Sequence, residues 1–356
     1  MTKPLAVGAT IGILGGGQLG RMLSVAAARL GLKTQIFEPG AGAPAGDVAH
    51  MVTTASYDDE EALIAFGQSV DVITYEFENI PTSALDLLEK LAPIHPGRLA
   101  LATSQDRLVE KQFLRDLGLQ TAPFADVATA ADLDAAIADI GTPAILKTRR
   151  FGYDGKGQAR IMAPDVAATA FADMAGAPAI LEGFVDFSHE VSVIGARSPD
   201  GAVACYDPGE NVHEAGILRT TTVPAKLTPN QRTDAVLIAA RVLNALDYVG
   251  VMGVELFVTP GGLIVNEIAP RVHNSGHWTQ NGCTICQFEQ HMRAVAGWPL
   301  GDGSRHSDVM MENLIGDDMD RVPELAKTDA AIHLYGKADV KAGRKMGHVN
   351  RIVKPA

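Results

Sequence analysis

Residues 250–276 read G-V-M-G-V-E-L-F-V-T-P-G-G-L-I-V-N-E-I-A-P-R-V-H-N-S-G. Two β-rich runs, 251–259 and 263–268, flank Pro260-Gly261-Gly262, a pattern that predicts a tight hairpin. Each run carries one acid among apolar residues, Glu255 and Glu267. A three-residue loop at 260–262 sets these two acids opposite one another, with Cβ atoms ~5 Å apart. Like charges so placed destabilise a ladder unless a cation sits between them. Mg²⁺ suits that place, with Mn²⁺ as the alternative, because it takes oxygen ligands from one or two carboxylates together with phosphates. Asn266 adds a ligand or hydrogen-bonding group beside the pair, and Arg271, His273, Asn274 and Ser275 follow at once. A half-exposed hairpin with both glutamates in water gives the same alternation. The pattern alone leaves both readings open.

The chain has 356 residues, which predicts two or three domains. A net charge of −12 argues against general binding to nucleic acid or to an anionic membrane. An anionic substrate must then be held by local Lys and Arg and by metal. The three cysteines, Cys205, Cys283 and Cys286, are too few for a disulfide framework. Cys283-Thr284-Ile285-Cys286 lacks a second pair to complete a zinc site, so two reduced, partly buried thiols on a helix are expected. No signal-peptide pattern and no run of ~18 apolar residues is present, and a cytoplasmic location is the expectation.

Near the N-terminus, an apolar run at 9–14 leads into Gly15-Gly16-Gly17-Gln18-Leu19-Gly20, a helical stretch at 21–30, and a second strand at 33–37 ending on Glu38. This βαβ start has the G-x-G-x-x-G spacing of dinucleotide-binding folds, which makes an NAD-dependent oxidoreductase the second functional reading. The glycines themselves only permit a ligand to approach a helix N-terminus closely. Another buried strand, 71–75, ends at Glu76-Phe77-Glu78, where ligands bind in open α/β sheets; ordinary loop acids are the alternative. A helix is predicted over 104–117, capped by Ser104, with Arg107 and Lys111 on one face and Lys111 expected at the exposed surface. A further helix is predicted over 130–139, and a strand at 142–147 ends on Lys147. The following loop, with Gly152, Tyr153, Asp154, Gly155, Lys156, Gly157 and Gln158, reads as a phosphate cover or a plain Gly-rich hairpin. A strand at 179–185 carries Glu182; a hairpin spans 190–206; residues 210–213 lead into a loop. A helix is expected over 228–246 and another over 283–296, and two strands, 310–315 and 331–334, precede a basic tail. That tail is read either as a solvated end or as an anion-binding patch.

With these segments assembled, the chain resembles the ATP-grasp ligases, and among them the branch that carboxylates an aminoimidazole ribonucleotide. The likeness spans residues 12–350 and is carried by Gly17-Gln18-Leu19-Gly20-Arg21, by 152–158, by 343–348 and above all by 266–279, N-E-I-A-P-R-V-H-N-S-G-H-W-T. It implies an α/β fold of ATP-grasp architecture: a Rossmann-like N-terminal domain (1–103), a two-lobed ATP-grasp domain (104–300, small lobe about 123–182) and a small β-rich C-terminal domain (301–356).

The resemblance also implies site roles. ATP falls to Arg107, Lys147, the loop Gly152 to Gln158, Glu182, Gly183, Phe184 and Val185, with Glu190, His213, Asn266 and Glu267. Mg²⁺ falls to Glu255 and Glu267. Arg271, His273 and Asn274 surround bicarbonate and the carboxyphosphate made from it, with Lys147 and Asp154 among the catalytic groups. The imidazole nucleotide falls to Gln18, Leu19, Glu76, Tyr153, Ser275, Lys337, Arg344 and Lys345. A homodimer is the expected assembly.

Overall fold

The strands Met51–Thr53, Lys33–Phe37, Thr10–Leu14 and Val72–Tyr75 lie side by side in that order, all parallel, as a βαβ start demands. The computed structural model describes residues 3–152 and 156–353. A second, antiparallel four-stranded sheet runs Phe124–Val127, Ala179–Gly183, Ala144–Thr148, Gln158–Ile161. The third sheet has nine strands among the described residues. It begins with the hairpin Gly262–Ala269 and Gly250–Thr259 and continues through His189–Arg197, Gly209–Glu214 and Ile217–Val223 to Asp308–Ile315, Lys345–Val353 and Ala331–Leu334; Val203–Cys205 pairs on the side of His189–Arg197.

Several expected boundaries shift for local reasons. Ser104 ends one helix, Arg98–Ser104, and caps none; the next helix is Arg107–Asp116, whose cap is Asp106, accepting from the Leu108 N–H. Residues 209–214 continue as a strand and do not enter a loop, because Ile217–Val223 lies beside them to complete the ladder. Of the basic tail, Lys345–Val353 is a strand flanked on both sides, while residues 335–344 before it form a loop whose residues 338–343 are exposed. Where side chains make their own caps, the expectation holds closely. Thr228 and Gln231 form a capping box opening Pro229–Ala245, and Thr129 and Asp132 do the same for Ala130–Ile140.

Helix Gln287–Val295 is buried along nearly its whole length between the parallel sheet and the large sheet. Its His291 bridges them: Nε2 lies 2.8 Å from Thr74 Oγ1, and Nδ1 accepts the Val251 N–H at 3.0 Å. Burial pushes this imidazole down to about 3, so it stays a neutral hydrogen-bonding link. The C-terminal ends of the parallel strands are thereby held against the hairpin.

The cysteine pair does not share a helix. Cys283 follows the short helix Thr279–Gly282, while Cys286 is the residue before Gln287–Val295, and both are buried. Burial pushes the Cys283 thiol up to about 12 and the Cys205 thiol up to about 11. At pH 8 the thiolate fraction is then roughly one in a thousand or less. The native protein is expected to react negligibly with a thiol-specific disulfide reagent within minutes, and to show all 3 cysteines once unfolded in guanidinium. Fast reaction of two thiols in the native protein would contradict this burial.

Candidate active site

The hairpin turns in two residues, 260 and 261, with Thr259 opposite Gly262, and not in the three expected. A regular ladder from that turn would set Glu255 against Asn266 and point Glu267 to the other face, since a one-residue slip inverts a strand's faces. Asn266 is instead left out of the pairing as a bulge, and Glu255 faces Glu267 after all. The bulge is pinned from outside the hairpin: the Val265 N–H donates to the Gln120 carbonyl at 2.8 Å, and Lys111 Nζ donates to the Asn266 carbonyl at 2.6 Å. Burial and the neighbouring Glu267 hold the Glu255 carboxyl above the ordinary range. For Glu267 burial acts in the same sense, but Arg107 and Lys147 outweigh it and hold the carboxyl low.

Helix Arg107–Asp116 supplies three groups to this spot at spacings of three and four, which share one helix face. Arg107 Nη1 lies 3.0 Å from Glu267 Oε2, and its Nη2 donates to the Gly152 carbonyl at 3.2 Å. Glu110 accepts the Ile268 N–H. Lys111 is 1 % exposed, a correction to its expected surface position. Its ammonium stands 3.2 Å from Glu182 Oε2, and Lys147 Nζ stands 3.1 Å from the same oxygen. Burial opposes ionisation of Glu182, yet the two lysines prevail and lower its carboxyl. Its other oxygen, Oε1, is buried with no partner, an acceptor that fits the N–H of a bound base such as adenine. Gly183 ends this strand, Phe184 beyond it is half-exposed, with Val185 next, and Gln158 pairs with Lys147 across the ladder. Tyr153, Asp154 and Gly155 lie outside the described residues, while Lys156 is exposed beside them.

Past the hairpin, Arg271 makes a forked pair with Glu78 at the end of the parallel sheet, Nε to Oε2 at 2.7 Å and Nη2 to Oε1 at 3.4 Å. Burial works against ionising Glu78, but Arg271 outweighs it and keeps the carboxyl low. His273 Nδ1 lies 2.8 Å from the Ser275 hydroxyl and 3.4 Å from the Ser275 N–H, while its Nε2 lies 3.4 Å from Glu255 Oε1. Burial and the adjacent Arg271 push this imidazole down to about 3. Gly253 makes room for it, since a Cβ there would come within 2.7 Å of the His273 Cβ. Ser275 is buried, its hydroxyl 2.7 Å from that of Ser192. Asn274 exchanges two hydrogen bonds with Asn313, at 2.9 and 2.8 Å, tying this loop to strand Asp308–Ile315.

The glycine-rich opening is already filled by side chains. Gly16 N–H donates to Glu38 at 2.8 Å, Gly20 N–H to Glu76 at 2.6 Å, and Gly17 N–H also to Glu76. These are the donors a dinucleotide pyrophosphate would need, so the oxidoreductase reading loses its binding groups. Glu76 thus has internal partners, and burial still raises its carboxyl despite them. Gln18 begins helix Gln18–Arg29, while Leu19 is buried within it.

At the far side, His213 Nδ1 lies 3.0 Å from Glu190 Oε2; burial disfavours the imidazolium, but Glu190 overcomes this and raises it. The Lys345 charge opposes the upward shift of Glu255 and disfavours the imidazolium at His213 and His273. Lys337 Nζ donates to the Lys345 carbonyl at 2.7 Å, and Arg344 Nη1 to the Asp339 carbonyl at 3.1 Å. The structure therefore gathers Arg107, Lys147, Glu182, Glu190, His213, Glu255, Asn266, Glu267, Arg271 and His273 around one region. Sequence reading missed Lys111 and Glu110; the spacing from Arg107 was the available signal. Two carboxylates facing each other, with Glu255 raised by burial and by its neighbour Glu267, suit a divalent cation.

Family models match the chain in three stretches: a ribonucleotide synthetase preATP-grasp domain over residues 8–105, an ATP-grasp domain over 112–288, and a phosphoribosylaminoimidazole carboxylase C-terminal domain over 309–355. An N5-carboxyaminoimidazole ribonucleotide synthase of Brucella melitensis is 56 % identical over 352 residues, 98 % of this chain and 97 % of that protein. The Staphylococcus aureus N5-carboxyaminoimidazole synthetase solved with ADP is 37 % identical, with a TM-score of 0.95 over 99 % of this chain and 95 % of that one. The Aspergillus clavatus enzyme, solved with ADP and 5-aminoimidazole ribonucleotide, is 31 % identical, with a TM-score of 0.91 over 98 % and 94 %.

The Arg271–Glu78 pair joins the hairpin to the parallel sheet, with side chains 20 % and 28 % exposed. Glu78→Gln keeps the shape and leaves the guanidinium without its counter-charge. The expected loss is about 2 kcal/mol of unfolding free energy, below the full cost of breaking a wholly buried pair because water reaches both groups. Urea unfolding measures it; stability within 0.5 kcal/mol of the parent, roughly the spread of inert surface changes, would show that the pair does not hold the junction.

Proposed function

The chain belongs to the N5-carboxyaminoimidazole ribonucleotide synthases of the ATP-grasp ligases, and from that we propose that it uses ATP and bicarbonate to carboxylate the exocyclic amine of 5-aminoimidazole ribonucleotide in purine biosynthesis. The product is 5-carboxyaminoimidazole ribonucleotide, with ADP and phosphate. One observation carries this most directly: two opposed acids, Glu255 and Glu267, stand among Arg107, Lys147 and Arg271 at the meeting of the sheets.

In this proposal Glu182 accepts from adenine through its partnerless Oε1, and Glu190, with His213 beside it, takes the ribose hydroxyls. Glu255 and Glu267 hold Mg²⁺, with Mn²⁺ as substitute; when bound, the ion offsets charge on the phosphate oxygens. Lys147 gives the γ-phosphate a point charge, and Arg271 offers a planar fork to bicarbonate and to the carboxyphosphate formed from it. His273, kept neutral by burial, presents an N–H without adding a second cation beside Arg271. Glu76 or Asp154 receives the amine proton; burial raises the Glu76 carboxyl, which makes it a better base than an ordinary glutamate. Lys337, Arg344 and Lys345 take the nucleotide's 5′-phosphate. Resemblance extends the proposal to a cytoplasmic homodimer, with divisions near residues 103 and 300.

Coupled ADP release with aminoimidazole ribonucleotide is expected to depend on bicarbonate, and Glu267→Gln is expected to lower its rate by about 100-fold or more. Activity without bicarbonate, or a parental rate in that variant, would overturn the assignment. Thermal melting separates the second reading: Mg·ATP is expected to raise the melting temperature and NADH to leave it unchanged.

A further inference from the structure

The bulge at Asn266 brings Glu267 onto the face of Glu255, and a bulge that breaks a ladder needs its freed backbone groups satisfied elsewhere. Helix Arg107–Asp116 does this from outside the hairpin. Lys111 Nζ donates to the carbonyl of Asn266, the residue before Glu267, at 2.6 Å, and Glu110 accepts the N–H of Ile268, the residue after it. Arg107, on the same helix face, holds the Glu267 carboxylate itself. Glu110 and Lys111 are 3 % and 1 % exposed. Buried glutamates and lysines are rare unless their partners repay the desolvation; here they share the two peptide groups that flank Glu267.

We infer that Glu110 and Lys111 are positioning residues that grip the backbone on both sides of Glu267 and so set the spacing of the cation-binding acids. The inference rests on the proposal that Glu255 and Glu267 hold the metal. The same ammonium reaches Glu182, so one side chain couples the nucleotide-base end of the site to the metal end. Without Lys111 the bulge loses its donor, and the ladder relaxes toward the register of the turn, in which Glu267 faces away. Glu110 anchors the following peptide, and its acceptor atom is what that role requires, not its charge.

The test uses the full chain with Lys111→Met, Glu110→Leu, Glu110→Gln and Glu267→Gln. Mn²⁺ binding in the presence of ADP, read by electron paramagnetic resonance, needs no turnover; kcat and the KM for each substrate are measured alongside. Lys111→Met and Glu110→Leu are expected to weaken Mn²⁺ binding about tenfold or more, the size seen when groups behind a metal ligand are removed. They should lower kcat while the KM for aminoimidazole ribonucleotide stays within about twofold of the parent. Glu110→Gln keeps an acceptor for the Ile268 N–H and is expected to recover binding to within about threefold. Parental Mn²⁺ affinity in both Lys111→Met and Glu110→Leu, with affinity lost in Glu267→Gln, would overturn the inference and leave the metal assignment standing. Parental affinity in Glu267→Gln would overturn the metal assignment itself. If Lys111→Met does not fold, the contrast between Glu110→Leu and Glu110→Gln decides, and equal affinity in those two would also refute the inference.

Discussion

Two glutamates face each other across a hairpin, an arrangement that disfavours charge on both of them at once. Their surroundings are lopsided. Arg107 and Lys147 outweigh burial at Glu267, so that acid keeps its charge, while at Glu255 burial and the like-charged neighbour outweigh His213 and Lys345. The protein thus holds one formal negative charge firmly and a second conditionally. Such a pair has a standing attraction for a cation and for little else. The rest of the region follows from meeting that demand: lysines buried on Glu182, a helix face turned toward the hairpin, and a neutral imidazole where a protonated one would compete.

The surrounding architecture brings these groups together from distant parts of the chain. A parallel sheet delivers Glu76 and Glu78 at its C-terminal ends, as open α/β sheets do. The large antiparallel sheet delivers Glu190, His213 and the hairpin, and its last strands deliver Lys345. His291 and the Glu78–Arg271 fork hold the parallel sheet to the hairpin region, and the Asn274–Asn313 amide pair ties the loop after the hairpin to Asp308–Ile315. In a chain of net charge −12, Arg107, Lys147 and Arg271 supply positive charge locally beside the acid pair.

The glycine-rich opening shows how one motif can serve another purpose. Its backbone N–H groups point as they would toward a pyrophosphate, but Glu38 and Glu76 occupy them. A missing Cβ at Gly17 is needed because one would lie 2.6 Å from a Glu76 oxygen. The glycines allow a close approach, and the approaching group is a side chain of the protein itself.

Much of this was legible in the linear order of residues because its causes are local. The βαβ spacing, the helices that open after Thr129 and Thr228, and the acid-bearing hairpin depend on neighbours within a few positions. The opposition of Glu255 and Glu267 was read correctly, although through a loop one residue too long; the bulge at Asn266 restored what the shorter turn had shifted. That bulge depends on Gln120 and Lys111, more than 140 positions away along the chain. The burial of Lys111, the acids closing the glycine loop and the place of Lys345–Val353 as an inner strand likewise depend on distant segments. Residue order alone determined which groups exist and which lie on a shared face of a helix or strand. Only the folded chain decided which of them are dry and which are paired, because desolvation and charge pairing are set by whatever the rest of the molecule packs against them.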